Sequence, residues 1–154
     1  MNIRRTEKDE IRGRSKSDVH RIRRKKRDDK MKTETRLEAD SIGTMEVPAE
    51  AYYGVQALRA KQNFPITGTK LHPVFIRNLA QIKKAAAITN NNAGLLPEDK
   101  ADAIVRACDE VIAGKLAEEF IVDAIQGGAG TSANMNMNEV IANRDRKSTR
   151  LNSS

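Results

Sequence analysis

The sequence predicts a mainly α-helical domain with an extended N-terminal arm and about three helices. Three observations lead there. Residues 73–93 and 97–112 repeat apolar side chains at three- and four-residue steps, the spacing of one helix face. Residues 31–70 are broken by Gly43, Pro48, Gly54, Pro65 and Gly68, with short apolar stretches between them, which reads as an arm with turns. Residues 132–144 form a further helix-compatible run, opened by a glycine-rich loop.

The chain begins with a segment expected to lie outside the fold. Of the net charge of +7, residues 1–30 hold 13 Lys+Arg against 6 Asp+Glu, whereas residues 31–144 hold 12 against 14. The basic character belongs to the ends, and residues 145–154 add 3 against 1. Met1, Ile3, Ile11, Val19 and Ile22 are too few apolar residues for a packed face, so residues 1–30 are expected to be a disordered basic extension. The run Arg21–Arg27 could coat a phosphate backbone, and a basic nucleic-acid-binding module is the alternative reading of this segment. No aromatic residue accompanies the run to stack on bases, so nucleic acid is not the expected partner. Met31 opens Met-Lys-Thr-Glu-Thr-Arg-Leu-Glu, and the preceding Lys26-Arg27-Asp28 could be encoded by a purine-rich ribosome-binding stretch. Translation is therefore expected to start at Met31. A peptide spanning residues 21–36 in the native protein would refute this.

Within residues 31–70 a short hairpin is expected around Ile42–Val47. The first helix, Pro73–Ala93, starts with proline in its first turn and stops at Gly94, with Val74, Phe75, Leu79, Ile82 and Ala86 on its apolar face. Pro97 opens the second, with Glu98 and Asp99 favouring the positive end of the helix dipole. Its face is Ala101, Ile104, Val105, Cys108, Val111 and Ile112, and Gly114 ends it. Phe120–Val122 is a short apolar run, strand or buried turn. The third helix is expected over Ser132–Arg144, with Asn134 and Asn138 one turn apart on one face and Asn136 pointing elsewhere. Met135, Met137, Val140 and Ile141 surround these amides, so the segment should be buried and the amides should need partners. Residues 145–154 are polar and match the conceptual translation of a common sequencing adapter, so an adapter-derived tail is expected there.

The single cysteine, Cys108, cannot close an intramolecular disulfide, and it reads as a small core hydrophobe. No apolar run approaches the roughly 18–20 residues of a membrane span. Residues 1–30 hold no apolar stretch of the kind a signal peptide needs. A cytoplasmic protein without a membrane partner is expected.

The stretch that carries chemistry is Gln126-Gly-Gly-Ala-Gly-Thr-Ser-Ala-Asn-Met-Asn-Met-Asn-Glu139. Its glycines allow tight turning and close backbone approach, Thr131 and Ser132 supply hydroxyl donors, and a helix N-terminus follows. These are the parts of a carboxylate or phosphate cradle. Gly128–Ala133 fits the dinucleotide pattern G-x-G-x-x-A, but the strand and downstream acid that pattern requires are lacking. A Walker A loop is excluded because no lysine follows the glycines.

The stretch Ile125–Arg144 resembles the first conserved signature of the aspartase/fumarase superfamily. Pro48-Ala-Glu-Ala-Tyr-Tyr-Gly-Val-Gln-Ala-Leu-Arg59 and Asn63-Phe-Pro-Ile-Thr67 agree with it, so the resemblance covers residues 31–144 in order. Gly-Gly-Ala-Gly-Thr-Ser is similar to the aspartases, whereas class II fumarases typically show Gly-Ser-Gly-Thr-Gln; a fumarase-like hydratase is the alternative. The resemblance implies the N-terminal domain of that fold, without its central helical bundle. It also implies reversible deamination of L-aspartate to fumarate and ammonia by a homotetramer, with no cofactor. In this family the threonine of Gly-Thr-Ser binds substrate, which assigns that role to Thr131, with Gly130, Ser132 and Asn134 as neighbours. No metal ligand is assigned. The family's serine base, Thr-His pair and second signature fall beyond these residues, so no catalytic residue is assigned and the chain alone is expected to be inactive. His72, just before Pro73, is expected to cap or lie on the surface rather than act as a base.

Overall fold

The computed structural model describes residues 34–152; the expected basic extension and the start at Met31 lie outside them. The fold is mainly helical, as expected. Its elements are β1 (Thr35–Asp40), β2 (Gly43–Pro48), α1 (Val55–Asn63), α2 (Pro73–Asn92), α3 (Glu98–Ile112) and α4 (Thr131–Asn152), with 3-10 turns at Ala117–Glu119 and Gly128–Gly130.

The hairpin is longer than the sequence suggests. β1 pairs antiparallel with β2, from Thr35 opposite Pro48 to Asp40 opposite Gly43. The Asp40 carboxylate holds the turn by accepting from the Ile42 and Gly43 amides at 2.9 and 3.0 Å. β1 turns its charges inward: Arg36, Glu38 and Asp40 are half-buried while Leu37 is 72% exposed. The Arg36 guanidinium gathers the carbonyls of Pro48, Ala49, Ala51 and Tyr53 at 2.7–3.0 Å. Asp40 pairs with Arg59 on α1, a contact that holds its carboxyl below the usual range.

α1 lies within the stretch expected to be an extended arm, and it makes four α-helices among the described residues, where about three are expected. Its first amides are satisfied from elsewhere in the chain. Glu38 accepts from Val55 N–H at 2.9 Å, and Glu139 accepts from Gly54, Gln56 and Ala57 N–H at 2.8–3.0 Å. Two carboxylates thus stabilise the positive end of one helix. Gly54 leaves room for them: a Cβ would sit 2.7 Å from atoms of both carboxyl groups and push them off these amides.

α2 and α3 pack side by side, and the buried face of α2 differs from the expected one. Ile76, Ala80 and Ala87 point inward, whereas Val74, Phe75 and Ile82 are 45–64% exposed. Alanines let the helix axes approach, so the small residues hold the packing and the bulky stripe is left outside. On α3 the buried residues are Ala101, Ala103, Ala107, Cys108 and Val111, with Ile104, Val105 and Ile112 half-buried. Cys108 is fully buried, and burial, with the Asp109 charge adding to it, pushes its thiol up to about 11. It is a core hydrophobe, as expected.

Phe120–Val122 is a buried turn, not a strand, with Phe120 and Val122 1% exposed. α4 crosses over this layer and completes the core with Met137, Val140 and Ile141. It does not stop at Arg144 but runs to Asn152, since no glycine or proline interrupts the polar segment. The Arg144 guanidinium also grips Glu110 of α3 through two bonds of 2.7 Å, lowering the Glu110 carboxyl.

Among the asparagines, Asn136 is the fully buried one. Its Oδ1 accepts from Ile121 N–H at 3.0 Å and its Nδ2 donates to the Glu119 carbonyl at 2.9 Å. The amide expected to point elsewhere therefore pins the buried turn to α4, while Asn134 and Asn138 are half-buried.

Candidate active site

The glycine-rich loop forms the connection between the buried turn and α4. Ala129 and Gly130 both adopt left-handed backbone, with φ of 58 and 73°. Glycine takes this conformation freely, whereas alanine does so at a cost of roughly 1–2 kcal/mol. Two successive residues of this kind turn the chain sharply into the first turn of α4. Thr131 opens that helix and is exposed; its hydroxyl donates to the Gly128 carbonyl at 3.1 Å. Gly130, Ser132 and Asn134 follow as half-buried neighbours.

The first-turn amides are less available than the sequence implies. The Thr131 N–H turns back to the Gly128 carbonyl. The Ala133 N–H is taken by the side chain of Gln126, whose Oε1 accepts it. Gln126 Nε2 in turn donates to the Asp123 carbonyl at 3.2 Å. Gln126 therefore caps α4 from the far side of the loop.

Asp123 anchors the approach to the loop. Its carboxylate accepts from Thr67 N–H, Gly68 N–H and Ile125 N–H, all at 2.8 Å, and from the Thr67 hydroxyl at 2.7 Å. Burial alone would raise its pKa. The Thr67 hydroxyl and the three amides outweigh burial and lower it to about 2. Asp123 is a fixed anion that ties residues 67–68 to the loop. The sequence assigns no role to Asp123 and none to the Gln126 side chain; an acid closing the apolar run Phe120-Ile-Val is the available signal.

An open concavity of about 560 Å³ lies beside the loop, lined by Leu71, His72, Phe75, Ala124 and residues 125–130. Thr131 is not among its lining residues, and its hydroxyl is bonded to Gly128 at the edge of that lining. His72 is the one ionisable group in that lining. Its Nδ1 accepts from Val74 N–H at 3.2 Å, so it caps α2, as expected. No group of His, Cys, Asp and Glu among the described residues could hold a metal ion. No helix among them is long and apolar enough to cross a membrane.

A family model described as lyase matches residues 43–154. An aspartate ammonia-lyase from a Bacillus species is 57% identical over 114 residues, which cover 74% of this chain and 24% of that protein. A class II fumarate hydratase from Halobacterium salinarum is 54% identical over 114 residues, with the same coverage of 74% and 24%. Among solved structures, a fumarate lyase:delta crystallin from Brucella melitensis superposes with a TM-score of 0.73 at 52% identity, covering 75% of this chain and 27% of that one. The chain spans about a quarter of the length of the relatives it matches.

Proposed function

This chain belongs to the lyase family, and from that premise we propose that it supplies one wall of the active site of an aspartate ammonia-lyase. The reaction interconverts L-aspartate with fumarate and ammonia. A base removes a proton from the carbon beside one carboxylate, and the aci-carboxylate dianion so formed then expels ammonia. Charge develops on carboxylate oxygens, so donors aimed at those oxygens carry the largest share of catalysis.

The observation that carries this reading is the exposed Thr131 hydroxyl at the start of a 22-residue helix, behind a loop that turns through Ala129 and Gly130. Without substrate the hydroxyl donates to a neutral carbonyl, a bond worth about 0.5–1.5 kcal/mol net. Turning to a substrate carboxylate exchanges it for a charge-assisted bond worth about 1.5–3 kcal/mol, at the positive end of the α4 dipole. The exchange is downhill, so the ground-state bond is a resting position for the donor. Gly130, Ser132 and Asn134 shape its surroundings.

For the rest of the machinery we propose the family's arrangement: a serine base from another segment, active sites shared between subunits of a homotetramer, and a cytoplasmic location. Residues 34–152 place no general base at Thr131, so the 154 residues alone are proposed to lack turnover. The 54% identity to a class II fumarate hydratase supports a second reading, in which water replaces ammonia. The two share fumarate and the carboxylate grip, and differ in the group added.

The test uses the complete protein, followed by fumarate absorbance with L-aspartate and with L-malate. Turnover of aspartate and not malate is expected, and the reverse selects the hydratase. Thr131→Val is expected to lower kcat/KM about 10- to 100-fold, the worth of one charge-assisted hydrogen bond. Unchanged kinetics would remove Thr131 from the site.

A further inference from the structure

Gln126 stands immediately before the glycine run, and its side chain joins the two ends of the loop. It spans from the Asp123 carbonyl to the Ala133 amide, seven residues ahead of Gln126 itself. The loop is thereby closed into a ring that contains Ala129, Gly130 and Thr131. One end of the ring is anchored, because the Asp123 carboxylate accepts from four donors of Thr67, Gly68 and Ile125. The other end is the first turn of α4. Between them, Ala129 stays at a φ of 58° that an unrestrained alanine would leave. Relaxing Ala129 would swing Gly130 and alter the Gly128–Thr131 contact that sets the Thr131 hydroxyl.

Resting on the lyase reading above, we propose that Gln126 is a positioning residue that holds the Thr131 hydroxyl where a substrate carboxylate binds. Both ends of its amide are needed: the oxygen accepts from α4 and the nitrogen donates to the anchored turn. A carboxylate at this position would keep the first bond, lose the second, and bring a negative charge towards a dicarboxylate substrate.

The test is a set of variants of the complete protein: Gln126→Leu, Gln126→Glu, Thr131→Val and the Gln126→Leu/Thr131→Val double variant. Gln126→Leu is expected to raise KM for L-aspartate on the order of tenfold, the value of one hydrogen bond near 1.4 kcal/mol, with a smaller change in kcat. Gln126→Glu keeps the cap on Ala133 and loses the bond to the Asp123 carbonyl, so its melting temperature should fall less than that of Gln126→Leu while KM still rises; a residue that only stabilises the fold would leave KM alone. The double variant should be no worse than Thr131→Val, because Gln126 acts through that hydroxyl. Wild-type KM in both Gln126 variants, or additive losses in the double variant, would overturn the proposal. Wild-type kinetics in Thr131→Val would instead overturn the reading on which it rests.

Discussion

Replacing Glu139 should cost far more than an ordinary helix cap. Its carboxylate accepts from Gly54, Gln56 and Ala57 N–H at 2.9, 2.8 and 3.0 Å. Gly54 and Ala57 are buried and Gln56 is exposed, so Glu139→Ala strands two donors that water cannot easily reach. A stranded buried donor costs about 1–3 kcal/mol, and partial relaxation into the vacated space brings the total to about 3 kcal/mol. Glu139→Gln keeps one acceptor oxygen for the two buried amides and turns its NH₂ towards the exposed one, for a loss of about 1 kcal/mol. Gly54→Ala should match Glu139→Ala, because its Cβ would lie 2.7 Å from atoms of both Glu139 and Glu38. The double variant should then be markedly less destabilised than the sum of the two. The assay is urea unfolding followed by circular dichroism, with exposed Glu46→Ala as a control expected to stay within about 0.5 kcal/mol. A loss below about 1 kcal/mol in Glu139→Ala, or additive losses in the double variant, would refute the two-carboxylate account of α1.

Three further outcomes follow from the buried polar groups. Asn136→Leu removes both bonds that hold the Glu119–Ile121 backbone, and is expected to cost about 2–4 kcal/mol in the same unfolding assay. Asp123 is ionised with a pKa of about 2, below its ordinary value of 3.8, so its stabilisation is present above pH 4 and drains as pH falls towards 2. Asp123→Asn should flatten the acid limb of the stability curve; an unchanged limb would count against the four-donor cage. The Cys108 thiol lies at about 11, above its ordinary 9.0, so its contribution is complete below pH 9 and is lost as pH rises through 11. Native protein should resist thiol reagents at neutral pH and react only on unfolding, while Cys108→Ala should reduce the alkaline loss of stability.

What was legible in the sequence was what is local. Apolar spacing and Gly/Pro punctuation located α2, α3 and most of α4, and a contiguous run marked the glycine loop and Thr131. α1 is not legible, because the carboxylates that stabilise its start stand 17 and 82–85 residues away. Periodicity found an apolar stripe on α2 but could not tell that alanines, not Phe75 and Ile82, face α3. That Asn136 is the amide that pins the turn is not legible, because its partners, Glu119 and Ile121, approach α4 only through the tertiary fold. The roles of Asp123 and Gln126 are hidden for the same reason: they lie in Thr67, 56 residues upstream of Asp123, and in a bond across the loop.

The inward-facing charges of β1 bear on how this protein meets solutes. A hairpin seated by Arg36 on four carbonyls and by Asp40 on Arg59 is held by guanidinium groups, and free guanidinium is their direct chemical competitor. Urea shares the planar N–H fork but not the charge that pairs with Asp40, and chloride screens these half-buried pairs only weakly. The two denaturants should therefore take the molecule apart in different orders, with guanidinium unseating the hairpin ahead of the α2–α4 core. Buffers rich in free arginine, often added to keep proteins in solution, would act on the same clasp.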